Sequence, residues 1–171
     1  MAAETKLKKM SLTKHEVLQN SNKKEVERIS LYQDVSVGFL PFDLDISRLM
    51  KELAKESEAR IKSLAQMGKI LQPSKVSTLV EGLKNHSRGH SSIVDATMAV
   101  DVLEKAWQYE YATQGFYEWL KASSDTNELD MLLTSFIRQS RNQGRILQEA
   151  KTQASLLGQW RRDQSTLRRV F

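Results

Sequence analysis

Two histidines four residues apart, in the stretch NHSRGHSS, are the first residues whose types and spacing could do chemistry. His86 and His90 would share one metal ion only if an unbroken helix joined them and a third ligand lay nearby. The Arg-Gly pair between them interrupts such a helix. Gly89 is suited to end one helix, and Ser91 or the serine after it is suited to begin the next, with Asp95 in its first turn. We interpret this stretch as a corner between two helices.

Other patterns that carry catalysis are incomplete in this chain. HEVLQ resembles the start of the zinc motif H-E-x-x-H, but Gln19 stands where the second histidine is required. A di-iron bundle needs Glu-x-x-His pairs, and neither His86 nor His90 follows a glutamate by three residues. No phosphate-binding glycine motif and no cysteine are present. The sequence therefore predicts a protein that is not an enzyme and has no catalytic residue, metal site or cofactor.

The elements that must position any site are predicted to be long helices. The 171 residues include only two prolines and seven glycines, and so few helix breakers favour uninterrupted helices. No run of 18 apolar residues is present, so no transmembrane helix is expected. The N-terminus lacks the apolar segment of a secretory signal. We expect a location inside the cell or in a virion.

Apolar spacing along the chain predicts an all-α fold. The pattern indicates an up-down bundle of three long helices, with one or two short helices before it and an extended strap over about 34–43. The strap is predicted because Val35, Val37 and Phe39 alternate with small residues and because Pro41 disfavours helical geometry at Leu40. We divide the chain into an N-terminal basic arm with short helices (1–33), the strap (34–43) and a helical bundle domain (44–171).

The predicted helix ends and the last helix carry further signals. Asp43 or Asp45 is expected to cap the second long segment, and Asp125 with Glu128 has the spacing of a capping box. A coiled-coil-like heptad can be laid along the last helix, and four of its positions are glutamine. It comprises Leu129, Leu132, Phe136, Gln139, Gln143, Ile146, Ala150, Gln153, Leu157, Trp160, Gln164, Leu167 and Phe171.

Aromatic residues are concentrated in residues 107–119, on more than one face of a helix. A helix that is apolar on several faces is either central in a bundle or partly covered by another chain. Together with the strap, this pattern predicts an interface for assembly. Its predicted residues are Val37, Phe39, Leu40, Phe42, Trp107, Tyr111, Phe116, Trp119 and Trp160.

Charge is distributed unevenly between the last two predicted helices. Residues 91–130 contain eight acidic and two basic side chains, and residues 131–171 contain eight basic and two acidic ones. The two helices could pack side by side and attract each other, or the basic side could bind nucleic-acid phosphates or an anionic membrane. The candidate anion-binding residues are Arg138, Arg141, Arg145, Lys151, Arg161, Arg162, Arg168 and Arg169, with Lys6, Lys8 and Lys9 in the N-terminal arm.

These patterns favour a non-enzymatic assembly subunit, a structural protein that self-associates as a homo-oligomer or docks into a larger protein complex. Its basic residues could coat or bind nucleic acid through phosphates, without sequence specificity, as in a virion coat or a nucleoprotein. The alternative is a membrane-surface scaffold or a protein–protein adaptor with no nucleic-acid role. Of these partners, a membrane is the less favoured.

Overall fold

The computed structural model describes residues 11–71 and 92–167, with side chains as far as residue 159. This part of the chain is mainly helical and contains no strand. Its four α-helices are α1 (Lys14–Phe39), α2 (Leu44–Leu71), α3 (Ala96–Ser123) and α4 (Asp130–Leu167), and a single 3-10 turn, Asn127–Leu129, precedes α4. None of these helices has a stretch long and apolar enough to cross a bilayer. The all-α prediction is confirmed for the described residues.

α1 begins at a capping box. The Thr13 hydroxyl accepts from the backbone N–H of Glu16, and the Glu16 carboxylate accepts from the backbone N–H of Thr13 at 2.8 Å. From there one helix runs for 26 residues, so a single long helix stands in place of the one or two short helices that were predicted. The polar residues 20–24 do not interrupt α1, because Ser21 and the following Glu25 face the core and continue the buried side of the helix.

The predicted extended strap is not observed. Residues 34–39 belong to α1, and residues 40–42 form a turn closed by the Asp43 N–H, which donates to the carbonyl of Phe39 at 2.9 Å. Leu40 keeps helical geometry although Pro41 follows it. The reason is burial, since Tyr32, Ser36 and Phe39 are spaced four and three residues apart and all lie against the core. The proposed division of the chain into domains stays a prediction.

α2 and α3 both begin at an aspartate. The Asp43 carboxylate accepts from the backbone N–H groups of Asp45 and Ile46, each at 3.0 Å, which confirms one of the two predicted caps. The Asp95 carboxylate accepts from the N–H of Met98 at 2.8 Å and caps α3, so Asp95 precedes the helix and does not lie in its first turn. Ser92 lies before this cap in a non-helical segment, and Ser91 lies outside the described residues.

The capping box predicted at Asp125 and Glu128 does not form. Asp125 instead accepts from the hydroxyl of Thr126 at 3.0 Å, and Glu128 pairs with Lys14 of α1 at 2.7 Å. The N–H of Leu12 donates to the carbonyl of Ser123 at 2.8 Å, which ties the start of α1 to the end of α3.

Two apolar clusters at opposite ends of the bundle define the direction of each helix. One cluster contains Phe39, Ile46, Leu103 and Leu147, and the other contains Leu18, Leu64, Leu120 and Leu133. α1 and α4 run from the second cluster to the first, whereas α2 and α3 run from the first to the second. α2 and α3 are consecutive among the described helices and run in the same direction, so these helices do not follow the predicted simple up-down order.

Each helix packs between two others in a square. The closest pairs are α1 with α2 and α3 with α4, and the pairs are joined through α1 with α3 and α2 with α4. The acidic α3 and the basic α4 therefore pack side by side, as one of the two sequence alternatives predicted. Lys151 pairs with Glu104 at 2.6 Å, and Arg141 pairs with Glu118 at 3.8 Å.

Candidate functional site

A layer of polar and charged side chains lies between the two apolar clusters, in the middle of the bundle. All four helices contribute to it, and four of its charged members, Glu25, Arg28, Arg60 and Glu110, are buried, whereas Glu56 lies at its exposed edge. Burial of so many charges is rare because each loses its hydration, and it is tolerated only where partners compensate. The layer consists of Glu25, Arg28, Tyr32, Glu56, Arg60, Glu110, Tyr117, Gln139, Ser140 and Gln143.

Arg28 is the centre of this polar layer. One terminal nitrogen of its guanidinium group donates to Glu25 at 3.2 Å and to the Ser140 hydroxyl at 3.4 Å. The other donates to Glu110 at 2.6 Å and to the side-chain carbonyl of Gln143. Arg28 thereby joins α1, α3 and α4 through one planar group, which is the geometry that arginine forks suit best.

Arg60 and Gln143 bring α2 into the same network. Arg60 donates through Nε to Gln139 at 2.7 Å and through a terminal nitrogen to Gln143 at 2.9 Å. The carbonyl of Gln143 thus accepts from both arginines, and its amide group donates to Glu56. A second terminal nitrogen of Arg60 lies 3.5 Å from Glu25. Gln143 is therefore a shared acceptor that fixes the two guanidinium groups relative to α4.

Two tyrosine hydroxyl groups also hydrogen-bond to the buried carboxylates. Tyr32 donates to Glu110, and Tyr117 donates to Glu25. Burial raises the pKa of both hydroxyls well above the ordinary tyrosine value, and the neighbouring carboxylates raise it further. Both tyrosines therefore act as neutral hydrogen-bond donors.

The carboxylates and Arg28 respond to burial in opposite ways. Burial raises the pKa of Glu25 and of Glu110, and the attraction of Arg28 counteracts part of that rise. Burial alone would lower the pKa of Arg28, but the two glutamates outweigh it and raise that pKa. Hydrogen bonds do not fully replace the lost hydration of these charges. Among the described residues, the Nε of Arg28 and the Oε2 of Glu110 are buried without a hydrogen-bond partner.

The guanidinium groups in the polar layer distinguish it from a metal centre. Di-metal bundles gather carboxylates and histidines from four helices at such a level of the core, but here the guanidinium groups of Arg28 and Arg60 stand among the carboxylates and would repel a cation. Within the described part of the chain, no group of three or more His, Asp or Glu residues is arranged to hold a metal ion. The fully buried carboxylates Glu25 and Glu110 are also closed to a substrate from solvent.

The predicted aromatic residues of α3 divide between core and surface. Tyr111 and Trp119 are 71% and 52% exposed. They lie one turn on either side of Gly115, where a Cβ atom would meet nothing within 4 Å. We call the outward side of α3 formed by Tyr111, Gly115 and Trp119 the aromatic face. Trp107 and Phe116 are half-buried at its edges, Trp107 stacked on Tyr111 with ring centroids 6.1 Å apart and Phe116 at the same distance from Trp119.

The four predicted interface residues near the end of α1 also divide between core and surface. Val37 and Leu40 are exposed, and Phe42 is half-buried. Phe39 is fully buried in the chain's own core, so its assignment to an assembly interface is wrong. Phe39 is buried because it lies on the inner side of α1, one helical turn beyond Ser36. The side chain of Trp160 lies outside the described residues.

The predicted basic residues of α4 differ in whether they have partners. Lys151 and Arg141 form the ion pairs with α3 given above, whereas Arg138 and Arg145 are exposed and have no ion-pair partner among the described residues. Arg145 lines a shallow groove with Gln148, Glu149, Thr152 and Gln153. The helix backbone of α4 includes Arg161 and Arg162, whose side chains are not described. Lys6, Lys8, Lys9, Arg168 and Arg169, and the pair His86 and His90, lie outside the described residues.

Sequence reasoning missed the buried polar layer. A signal for it is present, because Glu25 and Arg28 continue the buried side of α1 between Leu18 and Tyr32, and Arg60 takes a position on the apolar stripe of α2 between Leu53 and Leu64. A charged residue at a core position of an amphipathic helix indicates a partner on a facing helix.

Comparison of the chain with protein-family models, curated proteins and solved structures found no match.

Proposed function

We propose that this protein is a non-enzymatic helical subunit that assembles with other protein chains, above all with copies of itself. The observation that carries the proposal is the aromatic face of α3. Large aromatic side chains are costly to leave in water, and exposed ones on the same side of a helix are typical of a protein–protein contact. The charged layer beneath supports a rigid presentation of this face, since it joins α3 to α1 and α4 through Arg28.

The proposal predicts that wild-type protein forms a dimer or larger particle and that the double variant Tyr111→Ser with Trp119→Ser is monomeric. Tyrosine and tryptophan dominate binding energy at interfaces, so we expect the dissociation constant to rise by about 100-fold or more. The measurement is molar mass by light scattering over a concentration series.

The matched control for this experiment is Ile70→Ser. Ile70 is also a large exposed apolar side chain, but it lies on α2, which packs against α1 and α4 on the other side of the bundle. The Ile70→Ser variant should therefore assemble like the wild type. A wild-type protein that stays monomeric at several hundred micromolar would contradict the proposal.

As a second candidate function, we propose that the assembled protein binds nucleic acid through phosphates. Its support is the pair Arg138 and Arg145, which are two helical turns apart on the exposed side of α4 and carry no ion pair within the described part of the chain. Support is limited by Lys151 and Arg141, which are engaged by α3, and by Glu149 beside Arg145. A membrane surface is the less favoured anionic partner.

Nucleic-acid binding is tested with a labelled mixed-sequence duplex DNA at low and moderate salt. We expect the affinity to fall by orders of magnitude between about 50 and 200 mM salt, as counterion release requires. The variant Arg138→Glu with Arg145→Glu should bind more weakly, whereas Lys51→Glu with Lys62→Glu, which makes the same change in net charge on exposed positions of α2, should not. Equal binding by both variants, or no binding at low salt, would overturn this second proposal.

A further inference from the structure

The start of the described chain is fixed to the C-terminal end of α3. The backbone N–H of Leu12 donates to the carbonyl of Ser123 at 2.8 Å, and the N–H of Asp125 donates to the carbonyl of Leu12 at 3.4 Å. Leu12 and Ser124 thereby form a parallel bridge. In a parallel pair the two chains run the same way, so Ser11 lies on the side of Ser123. The bridge therefore directs the N-terminal side of Leu12 back toward the body of α3.

The aromatic face lies within reach of this bridge. Trp119 is one helical turn before Ser123, and Tyr111 is two further turns away. With a rise of about 1.5 Å per residue, Ser123 is about 6 Å from Trp119 and about 18 Å from Tyr111 along α3. Ten residues of extended chain span about 33 Å. The N-terminal segment 1–10 is therefore long enough to reach across the whole face.

We propose that the N-terminal segment 1–10 covers the aromatic face of its own chain and thereby competes with the binding of other copies. The contact within one chain stands by itself, and only the competition rests on the proposed self-association. Attachment close to the face gives the chain's own segment an effective concentration there of about millimolar. The segment of the same chain is thus favoured as occupant over a second molecule at lower concentration.

The two large apolar side chains of the segment match the two exposed rings in spacing and in order. Leu7 and Met10 are about 10 Å apart in an extended chain, and Tyr111 and Trp119 are about 12 Å apart along α3. Met10 is the nearer of the pair to the bridge, as Trp119 is the nearer ring. The proposed contact therefore sets Met10 on Trp119 and Leu7 on Tyr111, and methionine sulfur packs favourably against aromatic rings.

Charge complementarity supports the same occupant. The segment contains three lysines and one glutamate, whereas residues 91–130 contain eight acidic and two basic side chains. Glu118 is exposed beside Trp119. Within the described residues, Gln114 and Arg141 both contact the same carboxylate oxygen of Glu118, at 2.7 and 3.8 Å. The other oxygen can therefore accept from a lysine of the segment.

The contact within one chain is tested by disulfide trapping, for which a chain without cysteine has no competing thiol. Gln108 is exposed on α3 about one turn before Tyr111. We expect Thr5→Cys with Gln108→Cys to form a disulfide within the single chain about tenfold faster, or more, than the control Thr5→Cys with Ala59→Cys, whose second thiol is exposed on α2. The readout is non-reducing electrophoresis of protein diluted until light scattering shows monomers.

The competition is tested by charge reversal in the segment. Lys8→Glu with Lys9→Glu should slow the disulfide and tighten self-association by about tenfold, since a face that is covered for about nine-tenths of the time binds a partner about tenfold more weakly. The control Lys51→Glu with Lys62→Glu makes the same change in net charge at exposed positions of α2 and should leave both quantities unchanged. Sedimentation velocity over a dilution series measures the association.

The outcomes separate this contact from the proposed self-association. Trapping at Gln108→Cys that is no faster than at Ala59→Cys, or that occurs only between chains, would overturn the contact and leave self-association standing. Fast trapping within a protein that stays monomeric at several hundred micromolar would support the contact and contradict self-association. Fast trapping with unchanged association of the Lys8 and Lys9 variant would overturn the competition alone. We expect fast trapping together with tighter association of that variant.

Discussion

Replacing Arg28 with methionine should destabilise the folded chain by about 3–5 kcal/mol, because it leaves Glu110 buried without a counter-charge and leaves Glu25 with only the more distant guanidinium group of Arg60. Methionine keeps much of the volume and the flexible stem of arginine, so the loss reports the charge rather than a cavity. Arg28 is fully buried and hydrogen-bonds to both carboxylates. The measurement is the free energy of unfolding in urea.

The destabilisation should depend on pH with a definite sign. Burial raises the pKa of Glu25 and of Glu110 in the folded chain, so the folded chain holds these protons to higher pH than the unfolded chain does. The contribution of these two carboxyl groups to the free energy of unfolding is greatest below their pKa in the unfolded chain, about 4.3. It falls as pH rises from there through their pKa in the folded chain. Without Arg28 the folded pKa values rise further. The difference between variant and wild type should therefore be small at about pH 4 and largest at about pH 8.

Two comparisons make the Arg28 prediction specific. Arg48→Met removes an arginine of α2 whose pair with Asp45 is largely exposed, and it should cost less than about 0.5 kcal/mol. Adding Glu25→Gln and Glu110→Gln to Arg28→Met should recover part of the lost stability at neutral pH, since neutral amides are cheaper to bury than carboxylates. A loss in Arg28→Met that did not vary with pH would contradict the proposed role of the two carboxylates.

Replacing Leu147 with alanine should cost about 2–5 kcal/mol, whereas Ile146→Ala should cost less than about 1 kcal/mol. Leu147 is fully buried in the first apolar cluster, and Ile146, its neighbour on α4, is 41% exposed. Both changes remove a large aliphatic side chain from the same helix and have a similar effect on helix propensity. The pair therefore isolates burial, and the midpoint of thermal or urea unfolding measures it.

The same pair of variants decides how α4 faces the bundle. If Ile146→Ala were the more damaging change, α4 would be rotated by about one residue, about 100°, from the orientation described here. The heptad predicted from sequence used Ile146 on its seam, so this outcome would restore that prediction.

Four of the nine heptad positions whose side chains are described agree with the structure. Leu129, Phe136, Gln143 and Ala150 are buried, as the seam requires. At the other five positions the buried residue is the next one along the chain, namely Leu133, Ser140, Leu147, Ala154 and Gly158. The sequence is compatible with both the predicted and the observed set of buried positions, because leucine occupies both 132 and 133 and because aliphatic residues stand at both 146 and 147. Only packing against α3 selects one of them.

The sequence by itself determined that the described chain is helical and that an aspartate at 43 or 45 would cap α2, whereas it left open whether the acidic helix would pack beside the basic one. The two determined properties are local, since they depend on the scarcity of helix breakers and on an acceptor side chain at the start of the helix. Contacts between distant residues decided the rest. Burial of Tyr32, Ser36 and Phe39 against the bundle extended α1 into the predicted strap as far as Phe39, and the polar layer exists only because Glu25, Arg28, Arg60 and Glu110 from different helices meet. Apolar periodicity records which side of a helix is buried, but it does not record which charged side chain on that side will find a partner.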